Sequence, residues 1–226
     1  MRAFYYDGIC IQNKRKTNMD SLLLKECNIS GTEVCLAVVC DGVGSLENGS
    51  VASSLAVQVL IDWLNQLTTT ERIGLNLLDT VHDINQRVVQ ASIKNHIRTA
   101  STLSAILMSD GKYYIVHVGD SRIYSCSEEG FRQLTEDQTL NGKLAVYLGR
   151  HETIPVVYGE GECIGKKFLL CSDGLYKKLD TGHLAKCCSQ TDKKNINRML
   201  KKLVQAAVNN GEMDNISAAL VVCEKG

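Results

Sequence analysis

The feature that most constrains the fold is an apolar run without a polar face, EVCLAVVC at residues 33–40. A strand with one face in solvent alternates apolar and polar residues, whereas a continuous apolar run is typical of a strand buried on both faces. The run ends abruptly at Asp41-Gly42-Val43-Gly44. The sequence therefore predicts a central strand, and Asp41 stands at the point where the strand gives way to a loop.

Apolar periodicity divides the rest of the chain. Apolar residues at spacings of three and four predict helices over 49–67, 73–97, 181–189 and 193–209. Predicted strands cover 3–12, 21–26, 33–40, 102–109, 112–118, 122–127, 154–158, 166–172 and 216–223. Strands cluster at the start, middle and end, with helix pairs between them. This order favours an α+β layered domain over an alternating parallel-sheet fold.

Composition excludes several classes of protein. The 226 residues suit one domain, 1–226. Lys plus Arg and Asp plus Glu are both 25, so the chain has no basic excess for nucleic acid or an anionic membrane. It lacks an apolar run of about 18 residues and a secretory start, which favours a cytoplasmic protein. Its ten cysteines are scattered, many in apolar runs, with no Cys-x-x-Cys pair, so we expect reduced core thiols.

Four aspartates lie where predicted strands meet loops: Asp41, Asp120, Asp173 and Asp214. Any one of them alone is explained by ordinary turn chemistry. If the fold brings them together, two carboxylates about 5 Å apart repel by roughly 3 kcal/mol at an effective dielectric of 20. A divalent cation offsets that repulsion, and Mg²⁺ and Mn²⁺ prefer oxygen ligands. The set therefore indicates a metal site, and a pair of ions suits displacement at phosphorus.

Six segments occur in the order of the motifs of a known family: VVCDGVG (38–44), ASTLSAIL (100–107), VGDSRIYS (118–125), LTEDQ (134–138), LCSDGLYKKL (170–179) and MDNIS (213–217). In this order they resemble the metal-dependent type 2C (PPM) protein serine/threonine phosphatases over nearly the whole chain. The resemblance implies a four-layer α-β-β-α sandwich, with two central antiparallel sheets flanked by helix pairs. It also implies hydrolysis of phosphoserine and phosphothreonine by a water shared by two Mn²⁺ or Mg²⁺ ions, without a phosphoenzyme.

The resemblance assigns metal ligands by position. Asp41 would bridge the two ions, and the backbone carbonyl of Gly42 would ligate one of them. Asp173 and Asp214 would complete the other ion. Asp20, in the loop KRKTNMD, matches the acidic residue that holds metal-bound water.

Three further residues receive roles from the resemblance. Arg15 matches the arginine that clamps the substrate phosphate and so joins Asp41 as a predicted catalytic residue, although a solvated surface charge is its simpler interpretation. Asp120 matches an aspartate associated with a weaker third ion in some members, and a structural bond to the Ser121-Arg122 turn is the alternative. Asn215 is expected to support its loop rather than to bind metal.

The sequence departs from the family pattern at four places. Met19 stands where an acidic residue usually precedes the Asp20 position, which would weaken the hold on the second ion. Val43 replaces the His that many eukaryotic members offer as a proton donor. Gln138 stands where a His is common, and the stretch from there to Asp173 is short, which trims the flap beside the metal site.

These departures leave two alternatives open. The first is a catalytically silent member that serves as a regulatory or phosphopeptide-binding module. The second is a metal-dependent hydrolase of a small phosphorylated metabolite or of a phosphorylated regulator. As a phosphatase, the chain resembles a small bacterial stand-alone member, for which we expect a phosphorylated protein substrate, a cognate Ser/Thr kinase as a partner, and a monomeric state.

Overall fold

The computed structural model describes residues 4–46, 48–150 and 153–224. The described strands are β1 (Phe4–Ile11), β2 (Ser21–Ile29), β3 (Thr32–Cys40), β4 (Leu103–Ser109), β5 (Lys112–Val118), β6 (Arg122–Ser127), β7 (Gly130–Gln133), β8 (Thr139–Leu140), β9 (Lys143–Leu144), β10 (Val157–Glu162), β11 (Lys167–Cys171) and β12 (Ile216–Cys223). The described helices are α1 (Gly49–Gln66), α2 (Ile73–Asn95), α3 (Asp173–Tyr176), α4 (Thr181–Ser189) and α5 (Ile196–Asn209).

Ten of the described strands form two five-stranded antiparallel sheets. The first sheet has the order β1-β12-β11-β6-β7, and the second has the order β10-β5-β4-β3-β2. The first sheet joins the two ends of the chain, since Phe4 of β1 lies opposite Cys223 of β12. The short strands β8 and β9 form a separate hairpin between β7 and β10.

Three clusters of buried apolar side chains occupy the spaces between the layers that the structure describes. One lies between helices α1 and α2 and the second sheet, one between the two sheets, and one between the first sheet and helices α3 to α5. Strand β3 contributes Val34, Leu36 and Val38 to the first cluster. It contributes Cys35, Ala37 and Val39 to the second. Side chains of a strand alternate between faces, so β3 is buried on both sides, and the predicted four-layer α-β-β-α sandwich is confirmed.

The elements differ from the sequence prediction at β2, which runs to Ile29 rather than residue 26, and after residue 127, where β7, β8 and β9 were not predicted. The predicted strand 154–158 is wrong, because β10 covers Val157–Glu162 and its pairing with β5 begins at Val157 opposite His117. Ile154 is buried against the helix-side core without being part of the ladder, and Pro155 has no N–H to donate to one. Helix α5 begins at Ile196 rather than at residue 193. The one-turn helix α3 was not predicted, since four residues are too few to show a period.

The ten cysteines all lie in the described part of the chain and are reduced, as the sequence predicts. Eight of them are buried. None of the helices within residues 4–46, 48–150 and 153–224 combines the length and apolarity that a membrane crossing requires.

Candidate metal centre and active site

Asp41 follows the last residue of β3 and is held by the start of β4. Its N–H donates to the Thr102 hydroxyl oxygen at 3.0 Å, and its carbonyl accepts from the Thr102 N–H at 2.8 Å. The Ser101 hydroxyl donates to the same carbonyl at 3.0 Å. Because both backbone groups of Asp41 are bonded to one segment, the direction in which its carboxylate leaves the sheet is fixed.

Gly42 is the point at which three segments meet. Its N–H donates to the carbonyl of Met19 at 3.2 Å. A Cβ at this position would lie 2.5 Å from that carbonyl oxygen and 2.6 Å from the carbonyl carbon of Gly49, the first residue of α1. Any side chain would push these backbones apart, so the absence of a Cβ lets the loop before β2 and the start of α1 close around Asp41.

The loop between β1 and β2 carries Arg15 into the same region. Arg15 pairs with Asp214 through two bonds, Nε to Oδ1 at 2.7 Å and Nη2 to Oδ2 at 2.6 Å. Asn215 fastens the two loops together, since it accepts from the N–H of Met19 and donates to the carbonyls of Gln12 and Thr17. Asn215 thus supports its loop, as the sequence predicts.

Asp173 is the first residue of α3, directly after β11 and Ser172. A Cβ on Gly174 would lie 2.0 Å from the carbonyl oxygen of Asn215. The lack of a side chain at Gly174 therefore allows the start of α3 to lie against the loop of Asp214. One turn further on, Lys177 Nζ lies 2.5 Å from Oδ2 of Asp173.

These segments enclose an open cleft of about 440 Å³. Its walls are formed by Arg15, Asp41, Gly42, Val43, Gly44, Ser45, Thr102, Asp120, Gly142, Leu144, Asp173, Lys177 and Asp214. Six of the seven predicted site residues are in that set. The seventh, Asp20, is 8 % exposed and is not part of the lining, yet the charges of Asp173 and Asp214 act on it.

The acidic side chains perturb one another. Burial, followed by the charges of Asp20 and Asp173, raises the pKa of Asp41 well above its usual range. Burial also raises the pKa of Asp20 to about 6, and the charges of Asp173 and Asp214 add to the rise. The pKa of Asp120 is raised to about 6 by burial and by the charge of Asp173. Carboxylates that disfavour each other's charge in this way are the expected property of a site that binds cations.

The residues present fit a divalent cation held partly through water. In the described part of the chain, no three histidine, cysteine or carboxylate side chains converge on one point. Mg²⁺ sites typically use one or two carboxylates and retain several waters. Oδ2 of Asp20 is buried and has no hydrogen-bond partner among the residues that the structure describes. A buried carboxylate oxygen that lacks a donor is a suitable acceptor for metal-bound water.

Other functional residues were not singled out from the sequence. Thr102 and Ser101 lie in the ASTLSAIL segment. Their hydrogen bonds to the backbone of Asp41 follow from the pairing of β3 with β4, which the sequence alone does not show. Lys177 lies in the segment LCSDGLYKKL. Its spacing of four residues from Asp173 is the signal that could have identified it, because side chains at that spacing meet on a helix.

The residues that depart from the family pattern have structural roles here. Gln138 binds Gly119, next to Asp120, through two bonds: its N–H donates to the Gly119 carbonyl at 2.8 Å and its Oε1 accepts from the Gly119 N–H at 2.7 Å. Its Nε2 also donates to the carbonyl of Pro155. Val43 lines the cleft. The side chain of Arg122 pairs with Asp137. The alternative for Asp120, a structural bond to the Ser121-Arg122 turn, stays a prediction.

A family model described as protein phosphatase 2C matches residues 13–220, a span that contains every site residue described above. This chain belongs to the protein phosphatase 2C family. It is therefore an enzyme of the protein phosphatase class, and the resemblance noted in its sequence is confirmed.

Known serine/threonine phosphatases resemble the chain over most of its length. The serine/threonine phosphatase stp of Listeria innocua is 29 % identical, with 82 % of this chain and 83 % of that protein covered. The solved S. agalactiae serine/threonine phosphatase has a TM-score of 0.85 at 20 % identity, covering 98 % of this chain and 100 % of that one. The catalytic domain of PstP, solved with two manganese ions, has a TM-score of 0.83 at 22 % identity, covering 98 % and 99 %. These two structures share the fold.

Proposed function

We propose that this member of the protein phosphatase 2C family hydrolyses phosphoserine and phosphothreonine in proteins, with two Mn²⁺ or Mg²⁺ ions as cofactors. The observation that supports this best is the meeting of Asp41, Asp173 and Asp214 with Arg15 in one cleft. Carboxylates suit the cations, and a guanidinium suits the phosphate. The name of the Listeria relative and the two manganese ions of PstP point in the same direction.

The acidic residues are proposed to divide the binding of the ions. Asp41 and the carbonyl of Gly42 would hold one ion, with Asp41 shared between both. Asp173 and Asp214 would complete the second, and Asp20 would fix the water around it through its unpartnered Oδ2. When bound, such ions lower the pKa of water and neutralise charge on phosphate.

Asp120 is the proposed ligand of a weaker third ion. It lines the same cleft, and its carbonyl, which accepts from the Tyr176 hydroxyl at 3.0 Å, fixes the backbone that carries it.

Arg15 is the proposed phosphate clamp. Its pairing with Asp214 places two N–H donors in parallel on the two oxygens of one group, which is how a guanidinium also binds two phosphate oxygens. The side chain is half exposed at the rim of the cleft, so a phosphate group on the surface of another protein can reach it. Val43 has no proton to give to the leaving serine or threonine oxygen, so we assign that proton to water.

A silent, phosphopeptide-binding module is the less favoured alternative. Three carboxylates with raised pKa values cost folding free energy in the charged state. Cation binding offsets that cost and so explains why the three carboxylates are present. A surface that only binds a phosphopeptide does not explain them. We further propose that the protein acts in the cytoplasm as a monomer on phosphoproteins made by a cognate Ser/Thr kinase.

Hydrolysis of a small aryl phosphate tests the proposal. Excess chelator is expected to abolish turnover, and Mn²⁺ is expected to restore it. Asp41→Asn should lower kcat/KM by at least about 100-fold, the scale on which the loss of one electrostatic stabiliser slows an enzyme. Asp110→Asn is the matched control, because Asp110 also precedes a glycine but lies in the exposed β4–β5 turn. Turnover that persists in chelator would refute the metal-dependent mechanism.

Peptide substrates separate the proposal from its alternatives. Turnover of phosphoserine and phosphothreonine peptides in preference to phosphotyrosine peptides is expected. Calorimetric binding of a phosphopeptide at saturating Mn²⁺ without any turnover would instead support the silent module. Turnover of the aryl phosphate but of none of the peptides would favour a hydrolase of small phosphorylated metabolites.

A further inference from the structure

Lys177 places a positive charge inside the acidic site. It directly follows the one-turn helix α3, and its N–H donates to the carbonyl of Asp173 at 3.0 Å. The side chain folds back so that Nζ lies 2.5 Å from Oδ2 of the same residue. Lys177 lines the cleft together with Asp41 and Asp120. The ammonium group therefore lies against a carboxylate of the cleft.

The surroundings of this ion pair set it apart from an ordinary surface pair. Exposed pairs at a spacing of four residues contribute little to stability, because water screens both charges. Here the carboxylate of Asp173 is only 18 % exposed, although the lysine side chain is 57 % exposed. Partial burial opposes the charge of Lys177, yet the bond to Asp173 and the charges of Asp173, Asp120 and Asp41 raise its pKa. The ammonium group thus pairs with Asp173 and is also influenced by the charges of Asp120 and Asp41.

A hydrogen bond next to Lys177 shows which side of the cleft this residue serves, since the hydroxyl of Tyr176, the preceding residue, donates to the carbonyl of Asp120 at 3.0 Å. Burial and the charge of Asp173 raise the pKa of Asp120, and the charge of Lys177 lowers it. The other side of the cleft has its own cation, since Arg15 pairs with Asp214. An ammonium is a compact, strongly hydrated point charge on a flexible stem, whereas a guanidinium is a planar fork. Of the two, Lys177 is the closer substitute for a metal ion.

We propose that Lys177 is a resident cation that competes with a divalent ion for the Asp120–Asp173 side of the site. The proposal rests on the proposed function only in that the acidic cleft binds Mn²⁺ or Mg²⁺. Whenever a divalent ion binds on this side, the ammonium must leave Oδ2 of Asp173, because two cations repel each other at that distance. Lys177 therefore weakens metal binding next to Asp120 and stabilises the metal-free protein.

Calorimetric titration of Mn²⁺ into the full chain tests this proposal. The proteins to compare are the wild type, Lys177→Met and Lys177→Gln, which remove the charge, Lys177→Arg, which keeps it, and Lys178→Met. Lys178 is the matched control, because it is the adjacent lysine, is exposed, and does not line the cleft. We expect the weakest Mn²⁺ binding step to tighten about tenfold in the Met and Gln variants. The Lys177→Arg and Lys178→Met proteins should bind like the wild type.

Thermal melting provides a second readout that does not depend on titration. Without metal, Lys177→Met should melt below the wild type, because Asp173 loses its counter-charge. Saturating Mn²⁺ should remove that difference, and Lys178→Met should show none. Equal Mn²⁺ affinity in the wild type and both neutral variants would overturn the role of Lys177 and leave the proposed function intact. Tightening in Lys178→Met to the same degree would also overturn it. No Mn²⁺ binding by any of the five proteins would overturn the proposed function as well.

Discussion

Two arginines make the same kind of contact with a carboxylate in different surroundings. Arg15 holds Asp214 at the exposed rim of the cleft. Arg122 holds Asp137 with both side chains only a quarter exposed, and its guanidinium stacks on the ring of Tyr176, 3.6 Å from the centroid. A half-exposed pair is screened by water and exchanges partners readily, whereas a stacked and partly buried pair fixes structure.

Arg15→Lys is expected to raise KM for a phosphopeptide about tenfold, because lysine keeps the charge and loses the two-pronged contact. Its melting temperature should stay close to that of the wild type. Arg122→Lys should do the reverse and lower the melting temperature more than it raises KM. Steady-state kinetics and thermal melting of both variants provide the comparison. A KM of Arg15→Lys equal to that of the wild type would argue against the phosphate clamp.

His117 is a buried residue of the second sheet, and each of its two ring nitrogens has a hydrogen-bond partner. One ring nitrogen, Nδ1, lies 2.8 Å from the Ser104 hydroxyl, and Nε2 lies 3.1 Å from the carbonyl of Glu136. Burial lowers the pKa of His117 to about 4, although the backbone bonds oppose the shift. The neutral ring therefore belongs to the folded state, and the unfolded chain takes up the proton first as the pH falls.

Stability should consequently depend on pH through His117. Its contribution is present above the unfolded pKa near 6.5 and is lost as the pH falls toward about 4, by roughly 3 kcal/mol at most. His117→Asn should be less stable at pH 7, with a smaller slope between pH 6.5 and 4, so the two curves converge in acid. Urea unfolding across this range measures both. Parallel curves would mean that His117 does not titrate differently in the two states.

At the scale of the elements, the site is assembled where ends of elements from both sheets meet. The β11–α3 junction carries Asp173, and the residues before β12 carry Asp214. The strands β11 and β12 are neighbours in the first sheet. The backbone of Gly174, next to Asp173, lies against the carbonyl of Asn215, next to Asp214, because glycine has no side chain to keep the two segments apart. The spacing of the proposed ligands Asp173 and Asp214 thus depends on the backbone contact between Gly174 and Asn215, neither of which is a proposed ligand.

Gly174→Ala is expected to lower the free energy of unfolding by about 1–3 kcal/mol, since the added methyl group would overlap a backbone oxygen. It should also weaken Mn²⁺ binding, although no proposed ligand side chain changes. Gly159→Ala in β10 is the control, because a Cβ there would have open space. Urea unfolding and Mn²⁺ titration of both variants provide the test. Unchanged Mn²⁺ affinity in Gly174→Ala would show that the loops adjust independently of this contact.

At the scale of the whole molecule, the cores between layers share strands. Strand β3 sends alternate side chains into the helix-side core and into the core between the sheets. Strand β12 likewise sends Ala218 and Leu220 toward the α5 side and Ala219 and Val221 toward the centre. If one core unfolds, the strand that it shares with a neighbouring core loses its packing on one face. The neighbouring core is then destabilised as well. We therefore propose that residues 1–226 fold as a single domain.

A single domain should unfold in one step. Trp63, the one tryptophan of the sequence, packs on the helix-side core from α1, and its fluorescence reports that layer. Far-ultraviolet circular dichroism reports helices and strands from every layer. The two urea transitions are expected to coincide in midpoint and slope. Separate midpoints would show that one layer unfolds on its own.

The sequence by itself determined the two-sided burial of β3, the helical faces of α1, α2 and α5, and the placement of four aspartates at strand ends. Each of these is a local property, since periodicity and the chemistry of strand ends are written in adjacent residues. The roles of Asp20 and Arg15 came only through the family resemblance, because a polar loop such as KRKTNMD has no period of its own.

Only the tertiary structure decided which of these local features meet. Arg15 lies 199 residues from Asp214 along the chain and contacts it because β1 pairs with β12. Asp41 donates a backbone hydrogen bond to the hydroxyl of Thr102, 61 residues further along the chain, because β4 pairs with β3. Strand pairing depends on shape and burial summed over the whole molecule. No short stretch of sequence contains that sum, so the electrostatics of the cleft, including the reach of Lys177 among three carboxylates, appear only once the chain is folded.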